Sequence, residues 1–232
     1  MNEKKILIVI PTLNEGQSIG NVISKIKENF LKPNILVIDA YSSDETLREV
    51  RKRKINIIQI DRIFGLGAQI EAGILYAFFN NYDFLIRIDG DEQHEPSDAK
   101  TLIKFAISEK TDLLIGSRFL GVSEYQPNNL RLFGIKLLRN LINFFYKIKI
   151  TDCNSGCQII SKKLIQSLCD DEYFEYSEIS IICKAAELKM NIKEKHINMK
   201  KRKTGQSKFD VINSYKFMFK NLLDLITSTS HK

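Results

Sequence analysis

The first half of the chain alternates short runs of β-branched apolar residues with longer segments of helical apolar spacing. This alternation predicts βαβ units, which build a mostly parallel sheet with helices on both faces. Strands are predicted at residues 6–10, 35–38, 55–60, 84–88 and 113–115. Helices are predicted at residues 18–30, 44–53, 67–79 and 97–109. We therefore expect an α/β fold.

The second half contains fewer strand signals and one long amphipathic stretch at residues 130–147. Strands are expected at 157–161 and 192–198, with a helix at 177–189 between them. We expect the 130–147 helix to face the core, because an apolar stripe at helical spacing is usually buried. Its predicted apolar side consists of Leu130, Phe133, Leu137, Leu138, Leu141 and Phe145.

A second amphipathic stretch, residues 211–226, follows the basic run at 200–203. It is typical both of a core helix and of a helix that lies on an anionic membrane. We divide the chain into a domain at 1–208 and a C-terminal helix and tail at 209–232, which could dock on a membrane.

The composition is that of a globular protein with an excess of positive charge. The chain has 232 residues, 44% of them hydrophobic and 27% charged, and a net charge of +7. That charge favours an anionic partner, which could be a nucleotide, a phospholipid surface or a nucleic acid. No run reaches the roughly 20 apolar residues that span a bilayer, and no signal peptide is apparent. We expect a cytoplasmic protein, peripheral on the inner membrane face if the tail docks there.

The four cysteines, at positions 153, 157, 169 and 183, form neither a zinc-site spacing nor a disulfide framework. Free, reduced thiols are therefore expected.

The run at residues 83–96 carries the strongest chemical signal. A buried strand pattern ends on Asp89 and Asp91, two carboxylates one residue apart. Hard oxygen ligands at the carboxyl edge of a sheet suit Mg²⁺ or Mn²⁺ that holds the phosphates of a substrate. The alternative is a solvated turn, since Asp-Gly is a common turn dipeptide.

Three common phosphate-binding designs are absent. The first strand is followed by Pro11-Thr12-Leu13-Asn14-Glu15-Gly16 and not by the glycine-rich turn of a dinucleotide-binding fold. The P-loop pattern occurs nowhere in the chain. A nucleophilic aspartate phosphatase would place its Asp pair after the first strand, whereas here the pair follows the fourth.

Other polar residues at strand ends could contact a nucleotide. Asn14 and Glu15 could bond a base or ribose, and residues 65–68 open a helix whose N–H groups could face an anion. Each has a structural alternative: Asp44 or its neighbour Ser43 could cap a helix, the glycines could permit a tight turn, and Pro11 could simply end the first strand.

Seven short motifs follow one another in order between about residue 5 and residue 208. They are Ile10-Pro11-Thr12-Leu13-Asn14-Glu15, Val37-Ile38-Asp39 with Ser42-Ser43-Asp44-Glu45-Thr46, Gly65-Leu66-Gly67-Ala68, Asp89-Gly90-Asp91-Glu92-Gln93-His94, Ile115-Gly116-Ser117-Arg118-Phe119, Thr151-Asp152 ahead of Ser155-Gly156, and Arg202-Lys203-Thr204-Gly205-Gln206-Ser207-Lys208. Together they resemble the family 2 inverting glycosyltransferases of the GT-A fold. The likeness is greatest to dolichol-phosphate mannose synthases and related bacterial surface-polysaccharide transferases.

The resemblance implies a role for each matching residue. The nucleoside pocket would be formed by Pro11, Thr12, Asn14, Glu15, Asp39 and Gly67. The metal ligands would be Asp91 and Gln93, with Asp89 nearer the ribose. The diphosphate and an acceptor phosphate would be bound by Arg118, Arg131 and Arg202, while Ser207 and Lys208 would belong to a loop that closes over the donor.

Two departures from the family pattern stand at the expected binding sites. The second Asp of the motif after the second strand is Ala40, followed by Tyr41 in place of Gly. The Gly-Phe-Arg that usually follows Ser155-Gly156 reads Cys157-Gln158 and continues differently. The first departure leaves the nucleobase open, and the second concerns the acceptor side.

The resemblance implies metal-assisted transfer of a sugar from a nucleoside diphosphate sugar, with inversion, to a polyprenyl phosphate or a glycan. A sugar hydroxyl would need a carboxylate base, for which Glu178 is the first candidate and Asp152 the second. Glu178 could instead be a favourable acid in the first turn of a helix. The alternatives are a sugar-1-phosphate nucleotidyltransferase and an inactive nucleotide- or membrane-binding module. No nucleic-acid-binding motif is present, and the sequence does not indicate an oligomeric state.

Overall fold

The computed structural model describes residues 4–93, 96–121, 127, 129–171 and 176–199. The strands are β1 (Ile6–Thr12), β2 (Asn34–Asp39), β3 (Asn56–Gln59), β4 (Phe84–Arg87), β5 (Leu113–Ser117), β6 (Gln158–Ser161) and β7 (Ile192–His196). The α-helices are α1 (Ile19–Asn29), α2 (Thr46–Lys52), α3 (Gly65–Phe79), α4 (Pro96–Ser108), α5 (Asn129–Tyr146), α6 (Lys162–Cys169) and α7 (Glu178–Glu187). A short 3-10 helix, Arg62–Phe64, precedes α3.

The strands form one sheet in the order β3-β2-β1-β4-β6-β5-β7. Only β6 runs antiparallel to its neighbours, β4 and β5, so the prediction of a mostly parallel sheet is confirmed. From β1 the chain builds outward to β2 and β3, and then returns to place β4 on the other side of β1. Such a reversal opens a crevice at the carboxyl ends of the strands, where α/β proteins bind ligands.

Helices cover both faces because side chains alternate along each strand. In β1, Leu7 and Val9 join the core under α3, α5, α6 and α7. Ile8 and Ile10 join the opposite core with α1, α2 and α4. The layers therefore hold the strand ends in a fixed arrangement from both sides.

Helix α6 was not expected from the sequence. It starts directly after β6, where the hydroxyl of Ser161 accepts a hydrogen bond from the backbone N–H of Leu164 at 3.4 Å. Leu164, Ile165 and Leu168 are its buried residues. The strand before it was predicted, but α6 has only eight residues and follows without a linker, so its short apolar pattern gives no separate helix signal.

The predicted burial of α5 is largely wrong. Its buried residues are Gly134, Ile135, Leu138 and Ile142, and only Leu138 belongs to the predicted apolar side. Leu141 is partly buried against the same core, whereas the remaining predicted residues are exposed: Leu130, Phe133, Leu137 and Phe145. The helix is apolar around more than one face, so the spacing did not identify which stripe meets the sheet.

The C-terminal stretch 211–226 and the division at residue 209 lie outside the described residues and stay predictions. In the described part of the chain, no helix is both long and apolar enough to cross a bilayer.

All four cysteines are free, and two of them are expected to resist chemistry in the folded protein. Burial raises the pKa of the Cys153 and Cys157 thiols to about 12, so little reactive thiolate forms near neutral pH. We expect iodoacetamide at pH 8 to leave both unmodified in the native protein and to modify them in guanidinium, as read by peptide mass mapping. Equal labelling of Cys157 in the two conditions would contradict this burial.

Candidate active site

The carboxyl ends of β1, β2 and β4 bring together most of the predicted site residues that the structure describes. Pro11 lies within β1, paired with Ile38, so the alternative in which it ends the strand is wrong. Thr12 and Asp39 are the last residues of β1 and β2 and lie side by side. The two strands thus place the predicted nucleoside pocket at the crevice.

Asp39 organises the loops that follow β1 and β2. Its carboxylate is fully buried and accepts hydrogen bonds from the Thr12 hydroxyl at 3.1 Å and from the Ser42 backbone N–H at 2.9 Å. The Ser42 hydroxyl donates to the same carboxylate at 2.5 Å and accepts from the Asn14 backbone N–H at 2.8 Å. The Asn14 side-chain oxygen accepts from the Ser43 N–H at 2.9 Å. These contacts fix the shape of the pocket wall.

A parallel set of bonds surrounds Asp44. Its carboxylate accepts from the backbone N–H groups of Gly16 at 2.9 Å and of Thr46, the first residue of α2, at 3.0 Å. The Thr46 hydroxyl in turn accepts from the Glu15 N–H at 2.8 Å. Burial alone would raise the pKa of Asp44, but the hydrogen bonds from Thr46 and Gly16 lower it below its ordinary value. Asp44 therefore supports the start of α2 from the residue before its N-cap, which is Glu45, and the alternative in which Asp44 or Ser43 is the cap itself is wrong.

Gln69 of α3 was not singled out from the sequence. Its buried amide donates to the carbonyl oxygens of Thr12 at 3.0 Å and Ile38 at 2.6 Å, which ties the ends of β1 and β2 to the helix. Gly67, two residues earlier, lies against the backbone of Tyr176. A Cβ atom at Gly67 would stand 2.7 Å from the Tyr176 carbonyl oxygen. A close approach of backbones explains this glycine, and its contact with a nucleotide stays a prediction.

Three non-glycine residues with left-handed backbone follow the strand ends around the crevice. The φ angles are 56° at Asn14, 51° at Tyr41 and 61° at Glu92. Such residues are uncommon and cluster at functional sites, where the surrounding structure holds them. They are three of nine such residues in the described part of the chain, and they set the course of the turns after β1, β2 and β4.

Arg87, the last residue of β4, forms the buried centre of the site. Its Nη1 lies 2.6 Å from Oε1 of Glu178 at the start of α7, and its Nη2 lies 3.5 Å from Oδ1 of Asp89. Burial alone would lower the pKa of the guanidinium, but the charges of Glu178 and Asp89 raise it above its ordinary value. A Cβ atom on Gly156 would stand 2.6 Å from Oδ2 of Asp89, so a larger residue at that position would displace the Asp89 carboxylate.

The residues after β4 fit a divalent cation that is shared with a substrate. Asp91 is buried, and its Oδ1 accepts from the Gln93 N–H at 3.1 Å. In the part of the chain that the structure describes, Oε1 of Glu92 is buried without a hydrogen-bond partner, an atom that a cation would satisfy. No described cluster of three His, Cys, Asp or Glu residues could hold a metal alone. Mg²⁺ commonly uses one or two carboxylates together with substrate phosphates, so the two observations agree.

The arginines predicted to bind phosphate have different surroundings. Arg118, directly after β5, is buried and bonded to Asp152 through two contacts of 2.7 Å and to the carbonyl oxygen of Asn154 at 2.8 Å. Arg131 is half-buried near the start of α5. Arg202, Ser207 and Lys208 lie outside the described residues. A phosphate-binding role for any of them stays a prediction.

Glu194 of β7 supports the loop that carries Asp152. Its carboxylate accepts from the backbone N–H groups of Thr151 at 2.7 Å and Asp152 at 2.9 Å. Burial raises the pKa of Glu194 above its ordinary value of 4.5, although these hydrogen bonds oppose the shift. The hydrogen bonds that link Glu194 to the backbone at Asp152, and Asp152 to Arg118, therefore depend on a carboxylate that is costly to ionise.

This raised pKa predicts a pH dependence of stability. The contribution of Glu194 to the free energy of unfolding is full below its pKa in the unfolded chain, near 4.5. It is lost as the pH rises through the higher pKa of Glu194 in the folded protein. We expect the wild-type protein to lose free energy of unfolding over that window relative to Glu194→Gln, measured by urea denaturation from pH 4 upward. Glu28→Gln, at an exposed position of α1, is the control. The same pH profile in wild type and Glu194→Gln would contradict the shift.

The fold defines the class of protein. A crystal structure of glucosyl-3-phosphoglycerate synthase from Mycobacterium tuberculosis, in complex with Mn²⁺, UDP and phosphoglyceric acid, matches with a TM-score of 0.74 at 17% identity, over 96% of this chain and 78% of that one. The fold is therefore GT-A. The model of the family described as glycosyl transferase family 2 matches residues 7–169, and the chain belongs to that family.

Two curated relatives cover most of the chain. A UDP-N-acetylglucosamine–dolichyl-phosphate N-acetylglucosaminyltransferase of Methanococcus voltae is 26% identical over 84% of this chain and 85% of its own length. A polyprenol monophosphomannose synthase of Mycolicibacterium smegmatis is 25% identical over 94% of this chain and 85% of its own length. The prediction of a family 2 glycosyltransferase of the dolichol-phosphate mannose synthase type is confirmed.

Proposed function

We propose that this enzyme transfers a sugar from a nucleoside diphosphate sugar to a polyprenyl phosphate, with inversion at the anomeric carbon. One relative is named as an N-acetylglucosaminyltransferase to dolichyl phosphate, and the other as a polyprenol monophosphomannose synthase. Both names support this acceptor class. The similar crystal structure with bound UDP and Mn²⁺ supports a nucleotide donor.

The proposal rests mainly on one observation: both candidate bases form buried ion pairs with arginines. Glu178 is bonded to Arg87 at 2.6 Å, and Asp152 is bonded to Arg118 at 2.7 Å. A carboxylate held by a buried guanidinium is poorly placed to take a proton from a sugar hydroxyl. A phosphate acceptor is already an anion and needs no base. Among the described residues, the predicted general-base role therefore has no support, and a phosphate nucleophile fits better.

The donor would bind with its nucleoside over the ends of β1 and β2 and its diphosphate beside the end of β4. Asp91 and Gln93 would hold the cation there, with Asp89 positioned by Arg87. When bound, Mg²⁺ or Mn²⁺ would supply positive charge to the departing diphosphate. Arg87 and the carboxylates of Asp89 and Asp91 would be in position before the donor binds. Little reorganisation of these groups would then oppose the transfer.

The nucleobase would meet an unusual surface after β2. Ala40 is buried and has no group to bond a base, whereas Tyr41 is exposed in a left-handed conformation. An aromatic ring in that position could lie against the base and would distinguish bases by stacking rather than by hydrogen bonds.

The proposal is tested by thermal denaturation with UDP-, GDP-, dTDP- and CDP-sugars, each with and without Mn²⁺. A ligand at one hundred times its dissociation constant stabilises the folded state by about 2.7 kcal/mol, a shift of several degrees. We expect one nucleotide to give a Mn²⁺-dependent shift that Asp91→Asn loses. No shift with any of them would favour the inactive-module alternative.

A further inference from the structure

Helix α5 presents an apolar stripe to solvent on the side away from the sheet. Phe133 is 65% exposed, Phe144 is 76% exposed and Leu130 is 52% exposed. Leu137 extends the same surface and is also exposed. Contiguous apolar surface of this kind marks an interaction site, whereas single exposed apolar residues do not.

The stripe is distinct from the face that packs on the sheet. Ile135, Leu138 and Ile142 are buried in the core, and they account for the contact of the helix with the domain. The exposed residues recur at the spacing of a second helical stripe. Burial in the fold therefore leaves this second stripe without a partner among the described residues.

The charge around the stripe has one sign. From residue 127 to residue 151 the chain has five basic residues and no acidic residue. Lys136 and Lys147 are exposed and lie at positions next to the stripe. Apolar side chains bordered by lysines are the pattern of a helix that lies in the interface of an anionic membrane.

We propose that α5 docks the protein on an anionic lipid surface through the stripe Leu130, Phe133, Leu137 and Phe144. A second copy of the chain fits less well, because an isologous contact would bring the lysines together without acidic partners. The C-terminal residues 200–232 are also a less suitable partner for the stripe, because positive charges would again meet. These residues contain eight Lys or Arg and two Asp.

The position of α5 places such a membrane beside the crevice. The helix connects the carboxyl end of β5 to the start of β6, and because β6 is antiparallel both of these lie on the same edge as the site. The Ser117 and Thr151 hydroxyls, 2.6 Å apart, join the chain before α5 to the chain after it. A lipid-borne acceptor would thus reach the site from the surface to which α5 binds. The docking itself goes beyond the proposed transfer and does not depend on it.

The test is sedimentation of the full chain with vesicles of phosphatidylcholine, with and without phosphatidylglycerol, in the absence of any nucleotide sugar. We expect binding to the anionic vesicles and a loss of at least about tenfold in affinity for Phe133→Ser/Phe144→Ser. Phe79→Ser is the control, because Phe79 is 77% exposed and, like Phe144, contacts a neighbouring phenylalanine edge to face. It ends α3, at the edge of the sheet opposite the site, so its variant should bind as the wild type does.

Circular dichroism establishes that each variant is folded, and Lys136→Glu/Lys147→Glu serves as the second variant if the first unfolds. Equal vesicle binding by wild type and the α5 variants would overturn the proposal. Loss of a solution dimer in the α5 variants, with vesicle binding intact, would replace the membrane by a second copy. Loss of binding in Phe219→Ser alone would assign docking to the C-terminal segment. Because no sugar is transferred in this assay, failure here would leave the proposed activity standing.

Discussion

Replacing Asp91 by alanine is expected to lower the rate of sugar transfer by about a hundredfold or more, with the fold intact. The reason is that its carboxylate is buried in the turn that follows β4. The next residue, Glu92, has a buried carboxylate oxygen with no partner among the described residues. Removing the Asp91 carboxylate would cost about 3 kcal/mol of transition-state stabilisation. The rate is measured in single turnovers with saturating donor.

Asp91→Asn is the matched control for structure. The amide oxygen can still accept the Gln93 N–H, but the negative charge is gone, so the variant should fold normally and be nearly as slow as the alanine variant. Near-normal turnover by Asp91→Ala would contradict the metal assignment.

Replacing Arg87 by methionine is expected to destabilise the protein by about 3–5 kcal/mol. The change leaves the carboxylate of Glu178 buried without its partner, 2.6 Å from where Nη1 stood. The free energy of unfolding, measured by urea denaturation, reports this cost. Donor binding should weaken as well, since Asp89 loses the group that positions it.

Two further variants separate the buried charge from loss of packing. The double variant Arg87→Met/Glu178→Gln removes both charges and should recover most of the stability, because replacing both partners is far less costly than removing one. Arg53→Met breaks the partly exposed pair with Glu49 and should cost no more than about 1 kcal/mol. Equal losses in Arg87→Met and Arg53→Met would show that the Arg87 pair is not a buried one.

The sequence predicted the parallel strands and the polar residues at their carboxyl ends because local patterns determine both. Each of β1, β2, β4 and β5 contains a short run of apolar residues, rich in Ile, Val and Leu in β1 and β2 and in Leu, Ile and Phe in β4 and β5. The order of βαβ units places their ends on one edge. The polar residues that follow β1, β2 and β4 were therefore identified, and the structure brings Thr12, Asn14 and Asp39 into one network.

The contacts that lie far apart along the chain could not be predicted. Arg87 stands inside an apolar run, and nothing local signals its pairing with Glu178, 91 residues away. The role of Gln69 depends on the carbonyl oxygens of two strands, and the pairing of Arg118 with Asp152 depends on how β5 meets the loop before β6. The burial of α5 was misjudged because it carries two apolar stripes, and only the sheet selects between them.

The most direct test of the proposed function compares two acceptors that differ in one group. The protein is given a labelled nucleoside diphosphate sugar, chosen from the thermal denaturation experiment, with either a polyprenyl phosphate or the corresponding polyprenol. We expect label on the phosphate and none on the alcohol, since both candidate bases, Glu178 and Asp152, are held by buried arginines. Transfer to the polyprenol at a comparable rate would contradict the proposed function.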